Sequence, residues 1–188
     1  MRIIGGKYKG RRIVPPSNFK ARPTTDFARE GLFNILNNRV DFETADVLDL
    51  FSGTGSISYE FASRGAASVH LVESDQKHIT GIQNIIRELR LENIRAIRVD
   101  VRAYLKTCKV KYDIVFADPP YELKWLKDLP DLVTQSGIIK ENGFFILEHP
   151  KALSFNSHKL FFEHRNYGGV NFSFFRGAKH VEDQANRS

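Results

Sequence analysis

From Val47 to about Glu148 the chain alternates short apolar runs with stretches of helical period, and this alternation restricts its fold more than any other feature. Runs rich in β-branched and aromatic residues form buried strands, and strands that alternate with helices assemble into a parallel sheet covered on both faces. Strands are expected near Val47–Phe51, Val69–Glu73, Ala96–Val99, Asp113–Ala117 and Gly143–Leu147. The clearest helix runs from about Asp75 to Leu89, with Ile79, Ile82, Ile86 and Leu89 on one side. After Pro150, His158–Glu163 and Val170–Phe175 read as an antiparallel hairpin joined around Tyr167-Gly168-Gly169. Phe161, Phe162, Phe172, Phe174 and Phe175 fit alternating core positions better than a base-stacking platform.

In an open α/β sheet, ligands bind beyond the carboxyl ends of the strands. Four of the expected strands end there in acids. Ile114-Val115-Phe116-Ala117 leads into Asp118-Pro119-Pro120-Tyr121. The prolines fix φ and remove two donors, so the Asp118 carboxylate and the Asp118 and Pro119 carbonyls form a rigid acceptor set suited to a planar base with an exocyclic amine. An ordinary Pro-Pro turn with a capping acid is the alternative. The first strand ends in Asp49-Leu50-Phe51-Ser52-Gly53-Thr54-Gly55-Ser56, a nucleotide-type loop whose glycines let a ligand approach the backbone. The third glycine of a dinucleotide fingerprint is replaced by Ser58. Glu73, followed by Ser74, lies about 20 residues further on, where an acid binds ribose hydroxyls. Asp100 and the Val101 amide could hold an adenine edge, although capping of a helix over Arg102–Lys106 explains Asp100 equally well.

Residues 1–40 carry nine Lys or Arg against Asp26 and Glu30, in a chain of net charge +6. A basic excess at one end is the footprint of a polyanion-binding arm, or of a merely solvated surface. Arg2-Ile3-Ile4 and Arg12-Ile13-Val14, around Gly5-Gly6 and Gly10, suggest a small basic hairpin. Pro15-Pro16 then breaks the chain, and Phe19–Thr25 reads as an extended loop. A helix follows, capped by Thr25 or Asp26, with Ala28, Leu32, Ile35 and Leu36 on one face and Arg22, Thr24, Thr25 and Arg29 near its start.

The order of these parts resembles class I S-adenosylmethionine-dependent methyltransferases, in which a glycine loop, a ribose acid, an adenine acid and an Asp/Asn-Pro-Pro-aromatic motif follow successive strands. More specifically, Arg2–Arg11, Arg22-Pro23-Thr24-Thr25-Asp26, Arg29-Glu30, Leu32–Leu36, Arg64-Gly65-Ala66, Glu148-His149 and Tyr167-Gly168 are similar to the bacterial 16S ribosomal RNA guanine-N2 methyltransferase family, over roughly residues 1–176. Ser52 and Thr54 stand where that family more often has Ala and Ser, and Ser56-Ile57-Ser58 is less apolar than usual.

The resemblance implies a Rossmann-like α/β fold with a mostly parallel seven-stranded sheet, an antiparallel C-terminal hairpin and a small basic N-terminal β-hairpin. It divides the chain into an extension over 1–22, a methyltransferase domain over 23–176 and a polar tail over 177–188. It implies S-adenosyl-L-methionine as cofactor, bound by Asp49, Phe51, Ser52, Gly53, Thr54, Gly55, Glu73, Ser74, Asp100, Val101 and Asp118. Chemistry falls to Asp118, Pro119, Pro120 and Tyr121, and RNA contacts to Lys7, Lys9, Arg11, Arg12, Arg22, Thr24, Thr25 and Arg29. The expected partner is 16S ribosomal RNA, naked or in an assembling 30S particle, met by a monomer.

The absence of a signal-peptide pattern and the lone Cys108 point to the cytoplasm, and no apolar run reaches membrane-span length. Cys108 reads as a small hydrophobe, the histidines lack metal spacing, and His149 sits near the cleft with a structural role equally open. The rivals are an adenine-N6 methyltransferase, since Asp-Pro-Pro-Tyr serves any exocyclic amine, and a nicotinamide-dependent oxidoreductase, opposed by the missing third glycine. A non-catalytic RNA-binding module is opposed by the complete set Asp49, Glu73, Asp100 and Asp118.

Overall fold

The computed structural model describes residues 1–14 and 25–177. Seven strands form one sheet: β1 (Asp46–Leu50), β2 (Ser68–Glu73), β3 (Ile94–Arg98), β4 (Tyr112–Ala117), β5 (Ile139–His149), β6 (Phe161–Tyr167) and β7 (Val170–Arg176), in the order β3-β2-β1-β4-β5-β7-β6. The first five run parallel, and β7 pairs antiparallel with both β5 and β6. Helices α1 (Asp26–Leu36), α2 (Ser56–Ser63), α3 (Gln76–Leu89), α4 (Val101–Thr107) and α5 (Leu129–Gln135) complete the fold. β3 starts two residues before its expected position. β6 starts three after, because Phe155, His158 and Phe161 are linked by successive backbone bonds that turn the chain there.

Apolar alternation along the strands divides the core into two layers. Val47, Ile114, Phe116 and Ile146 pack beneath α1, α2 and α3, whereas Leu48, Leu50, Val115 and Leu147 pack against α4 and α5. Within β1 this period of two puts Asp49 on the Val47 side, under α2. Thr25 caps α1 by accepting from the Ala28 amide, and Leu32, Phe33 and Leu36 are fully buried. Phe33 meets Phe61 of α2 edge to face at 4.7 Å. Among the described residues no helix is long and apolar enough to cross a membrane.

The expected N-terminal β-hairpin is not formed. Residues 1–14 carry no strand, only one isolated antiparallel bridge, Arg2 to Arg12, flanked by backbone bonds that join Met1 to Ile13 and Ile3 to Arg11. Gly6 and Gly10 turn the intervening chain with φ of 71° and 85°. Its backbone groups are then claimed by the end of α2: Lys7 N–H donates to Ser63 O at 2.6 Å, Tyr8 N–H to Ser63 Oγ at 2.9 Å, and Ile4 N–H to Glu60 Oε2 at 2.8 Å. The amides of Ile3 and Ile13 still bond across, to Arg11 O at 3.0 Å and Met1 O at 2.9 Å, so the α2 contacts hold the turn while the pairing stays too short to count as strands. Ile3 and Ile13 are buried in the same layer as α1 and α2. The Pro15-Pro16 break, the expected Phe19–Thr25 loop up to residue 24, with Arg22 and Thr24, and the expected 177–188 tail from residue 178 lie outside the described residues.

Ser63 is therefore the anchor of this loop, since its hydroxyl also donates to Gly5 O at 2.6 Å. Ser63→Ala is expected to lower stability by about 1–3 kcal/mol in urea unfolding, because two backbone groups lose their partner. It should also open the Lys7 and Lys9 bonds to trypsin in the folded protein; digestion at the wild-type rate would show that other contacts hold the loop.

Candidate active site

Strand order reverses between β1 and β4, and such a switch point opens a crevice at the carboxyl edge. Leu50 stands opposite both Val72 and Ala117, Ala117 opposite Leu147, and Glu73 opposite Arg98. This register brings the Phe51–Gly55 loop, Glu73, Asp100, Asp118–Tyr121 and Glu148-His149 to one edge.

The loop after β1 is shaped by left-handed φ values at Phe51 (57°), Gly53 (53°) and Gly55 (80°). A side chain at Gly55 would also press on the Tyr59 ring, so both backbone angle and space demand glycine there. Gly55 N–H closes a tight turn onto Ser52 O at 2.7 Å, and Ser52 N–H donates to Val72 O at 3.0 Å. Gly53 N–H reaches Glu73 Oε2 at 3.0 Å, while Glu73 Oε1 accepts from Asp75 N–H at 2.9 Å. Two amides leave a carboxylate, with about four lone-pair sites, room for further donors. Among the described residues, the buried hydroxyls of Ser52 and Tyr59 have no hydrogen-bond partner.

Asp49 is 2% exposed and accepts from Ser58 Oγ at 2.6 Å. Burial pushes its carboxyl up to about 7, the Ser58 bond opposes the rise, and the nearby carboxylates of Asp118 and Glu73 add to it. Ser58, legible in the sequence only as a missing glycine, is thus the residue that holds Asp49.

Asp100 caps α4 through a bond from Ala103 N–H at 3.1 Å, and Val101 is buried at the first helical position. Phe51 lies 5.8 Å from Trp125, over which the Arg102 guanidinium sits at 5.2 Å. Trp125 was not singled out from the sequence, where only its being the chain's one Trp, four residues past Tyr121, could have marked it. Asp118 is half-buried, Pro119 buried, and Tyr121 47% exposed. Leu123 N–H donates to Pro120 O at 2.9 Å and turns the chain back beyond the motif.

His149 is buried between Pro150 O and Ser173 Oγ, at 3.1 and 2.8 Å. A carbonyl only accepts, so Nδ1 carries the proton and Nε2 accepts from Ser173. Burial pushes its pKa down, and the ring is held as a neutral structural group. Lys7, Lys9, Arg11 and Arg12 are exposed on the N-terminal loop. Arg29, expected beside them, is instead 1% exposed, with Nη2 bonded to Asp26 Oδ1 at 2.5 Å and Arg2 O at 2.8 Å. Helical geometry puts position 29 next to Ala28 and Leu32 on the buried side. Thr25 is engaged as the α1 cap, Ser74 is exposed after Glu73, and Cys108 packs against the second core layer. Among the described residues no group of His, Cys, Asp and Glu could hold a metal ion.

A carboxyl raised in the folded state binds its proton more tightly there than when unfolded, so stability falls as pH rises from about 4 towards 7 and stays reduced above. Asp49→Asn, which keeps an acceptor for Ser58, should therefore stabilise the ligand-free protein by about 2–4 kcal/mol at pH 8, with the gain shrinking towards pH 4. Denaturant titrations at both pH values check this; a pH-independent gain would assign the effect to something other than charge.

A model of the family described as conserved hypothetical protein 95 matches residues 1–176. The ribosomal RNA small subunit methyltransferase D of Buchnera aphidicola subsp. Baizongia pistaciae is 34% identical over 154 residues, 82% of this chain and 78% of that relative. The protein of the same name from Escherichia coli K12 is 32% identical over 148 residues, 79% of this chain and 74% of that relative. In solved structures, the Escherichia coli protein yhhF superimposes with a TM-score of 0.81 at 28% identity, covering 94% of this chain and 97% of that one. The chain belongs to the conserved hypothetical protein 95 family, the family of the ribosomal RNA small subunit methyltransferase D proteins.

Proposed function

We propose that this protein transfers the methyl group of S-adenosyl-L-methionine to the exocyclic N2 of a guanine in 16S ribosomal RNA. The observation that carries the reading is the convergence of the glycine loop, Glu73, Asp100 and Asp118-Pro119-Pro120-Tyr121 on one sheet edge, in a member of this family. The donor set suits the cofactor. Glu73 keeps lone pairs for ribose hydroxyls, and the Val101 amide, in the first turn of α4, has no intrahelical acceptor and can meet an adenine nitrogen. Gly55 gives α2 no side-chain cap, and the buried Ser52 hydroxyl has no partner among the described residues, so both can serve a polar amino-acid tail beside Phe51, Gly53 and Thr54. A cation in the crevice favours the ionised form of Asp49.

A guanine amine is a poor nucleophile because its lone pair is delocalised into the ring. In this reading the Asp118 carboxylate and Pro119 carbonyl accept its hydrogens, pyramidalise the nitrogen and aim it, while Pro120 stiffens the turn and exposed Tyr121 stacks on the base. The bound cofactor supplies a methyl group on a sulfonium, open to in-line displacement. Asp118 also accepts the proton that leaves N2. The target base must be splayed from its stack, which unpaired RNA allows at low cost. Lys7, Lys9, Arg11 and Arg12 hold phosphates, with Arg22 and Thr24 joining them, and residues 1–22 act as the RNA-gripping extension of the 23–176 domain. The enzyme acts as a monomer on naked RNA or on an assembling 30S particle.

Labelled methyl transfer to small-subunit particles, naked ribosomal RNA and duplex DNA, followed by nucleoside analysis, tests the reading. Label is expected in N2-methylguanosine; label in N6-methyladenine would overturn the substrate assignment. Asp118→Ala should lower transfer about 100-fold or more while S-adenosylhomocysteine binding is retained, and near wild-type turnover would remove Asp118 from the mechanism. Replacing Arg11 and Arg12 by Ala should flatten the slope of log affinity for RNA against log salt by about 1.5, two released phosphate contacts; an unchanged slope would count against the loop.

A further inference from the structure

Phe27 is 62% exposed at the start of α1, and its ring is not loose. It meets the ring of Tyr167 edge to face, with centroids 6.1 Å apart and planes at 78°. Tyr167 in turn lies 6.3 Å from the fully buried Phe172. The sequence makes room for this buttress at a cost. Gly31 occupies the interior of α1, where glycine costs roughly 0.5–1 kcal/mol relative to Ala, and a side chain there would land within the Tyr167 ring. The turn beyond Tyr167 uses Gly168 and Gly169 at φ of 58° and 92°, and Gly168 passes close to the Phe27 ring.

The pair stands at the reacting edge of the sheet. Asn171 is opposite His149 and Tyr167 is opposite Val170, so the β6–β7 turn projects on the side of Asp118–Tyr121. Charge surrounds it in the right sense. Arg2 Nη2 approaches Asp26 Oδ2 at 3.9 Å, one residue from Phe27, and exposed Arg12 is paired with Arg2 through the backbone. One fixed aromatic face with the Arg2 guanidinium beside it, on a loop rich in exposed Lys and Arg, suits a stacked nucleobase whose phosphates run over that loop. A protein partner would call for a broader apolar patch.

We propose that Phe27, buttressed by Tyr167, is the stacking platform for an unpaired RNA base near the target nucleotide. The inference rests on the ribosomal RNA reading above, and its test separates the two. Phe27→Ala should weaken binding of naked 16S RNA about 5- to 150-fold, the range of one lost base stack, with the salt slope unchanged because no phosphate contact is lost. Its binding of S-adenosylhomocysteine and its urea midpoint should match wild type. Phe27→Trp should bind RNA like wild type, and its added fluorescence should be quenched by RNA beyond any change at Trp125. Binding by Phe27→Ala within twofold of wild type would overturn the platform. So would a defect confined to particles with naked RNA bound normally, which would give the ring to a ribosomal protein. Because binding is read apart from transfer, a wild type that grips RNA through Phe27 yet methylates no guanine would overturn the reaction and keep the platform.

Discussion

Parallel pairing of β1 with both β2 and β4 is the constraint on which the site depends. Since Leu50 is level with Val72 and Ala117, the residues that follow each strand emerge side by side, and no loop has to reach far to join the others. The Gly53 amide meets the Glu73 carboxylate because the ends of β1 and β2 are in step. A slip of one residue would turn Leu48 and Leu50 out of the second core layer and Asp49 out from beneath α2. Packing of ordinary aliphatic side chains thereby fixes the positions of chemically demanding ones.

The two edges of the sheet treat charge in opposite ways. At the amino edge, Lys140 Nζ lies 2.8 Å from Asp46 and 2.7 Å from Asp113, and this pairing holds Asp46 below the usual carboxylate range and Lys140 above its own. At the carboxyl edge, Asp49 is held by a hydroxyl and Glu73 by backbone amides, with the His78 ring 3.6 Å from Glu73. Hydrogen bonds from neutral donors orient a carboxylate without cancelling its charge. The stabilised edge is the one a ligand does not need, and the edge with raised carboxyl pKa is the one that a cationic ligand would relieve.

Much of this was legible in the sequence because it rests on local pattern. Short runs rich in β-branched and aromatic residues located the strands, the α1 cap was read as Thr25 or Asp26 and falls to Thr25, and acids at strand ends marked the edge. What was not legible depends on contacts distant in sequence. The paired apolar pieces around Gly5-Gly6 and Gly10 suggest a hairpin, but nothing local says that the chain between them is held by Ser63 and Glu60, more than fifty residues away, and pairs through a single bridge. Arg29 counts as a surface cation until the α1 face is known, and then it falls inward. Gly31 and Tyr167 carry no joint signal, since a helix glycine explains itself only once the ring that occupies its missing side chain is in view.

Helix α2 ties the two halves of the proposed machinery together. It is eight residues long, so at 1.5 Å per residue its ends are about 12 Å apart. Its first turn emerges from the glycine loop at Gly55, and its last, through Glu60 and Ser63, grips the basic N-terminal loop. The same N-terminal segment returns to the glycine loop, where Thr54 Oγ1 meets Met1 Sδ at 3.6 Å, while Ile3 and Ile13 bury its apolar side in the core. A flexible tether would let bound RNA wander relative to the cofactor loop. Attachment at both ends of one short helix, backed by two buried isoleucines, instead sets a fixed distance between the cations that hold phosphate and the loop proposed to hold the methyl donor, and positioning of that kind is what a reaction with a weak amine nucleophile most requires.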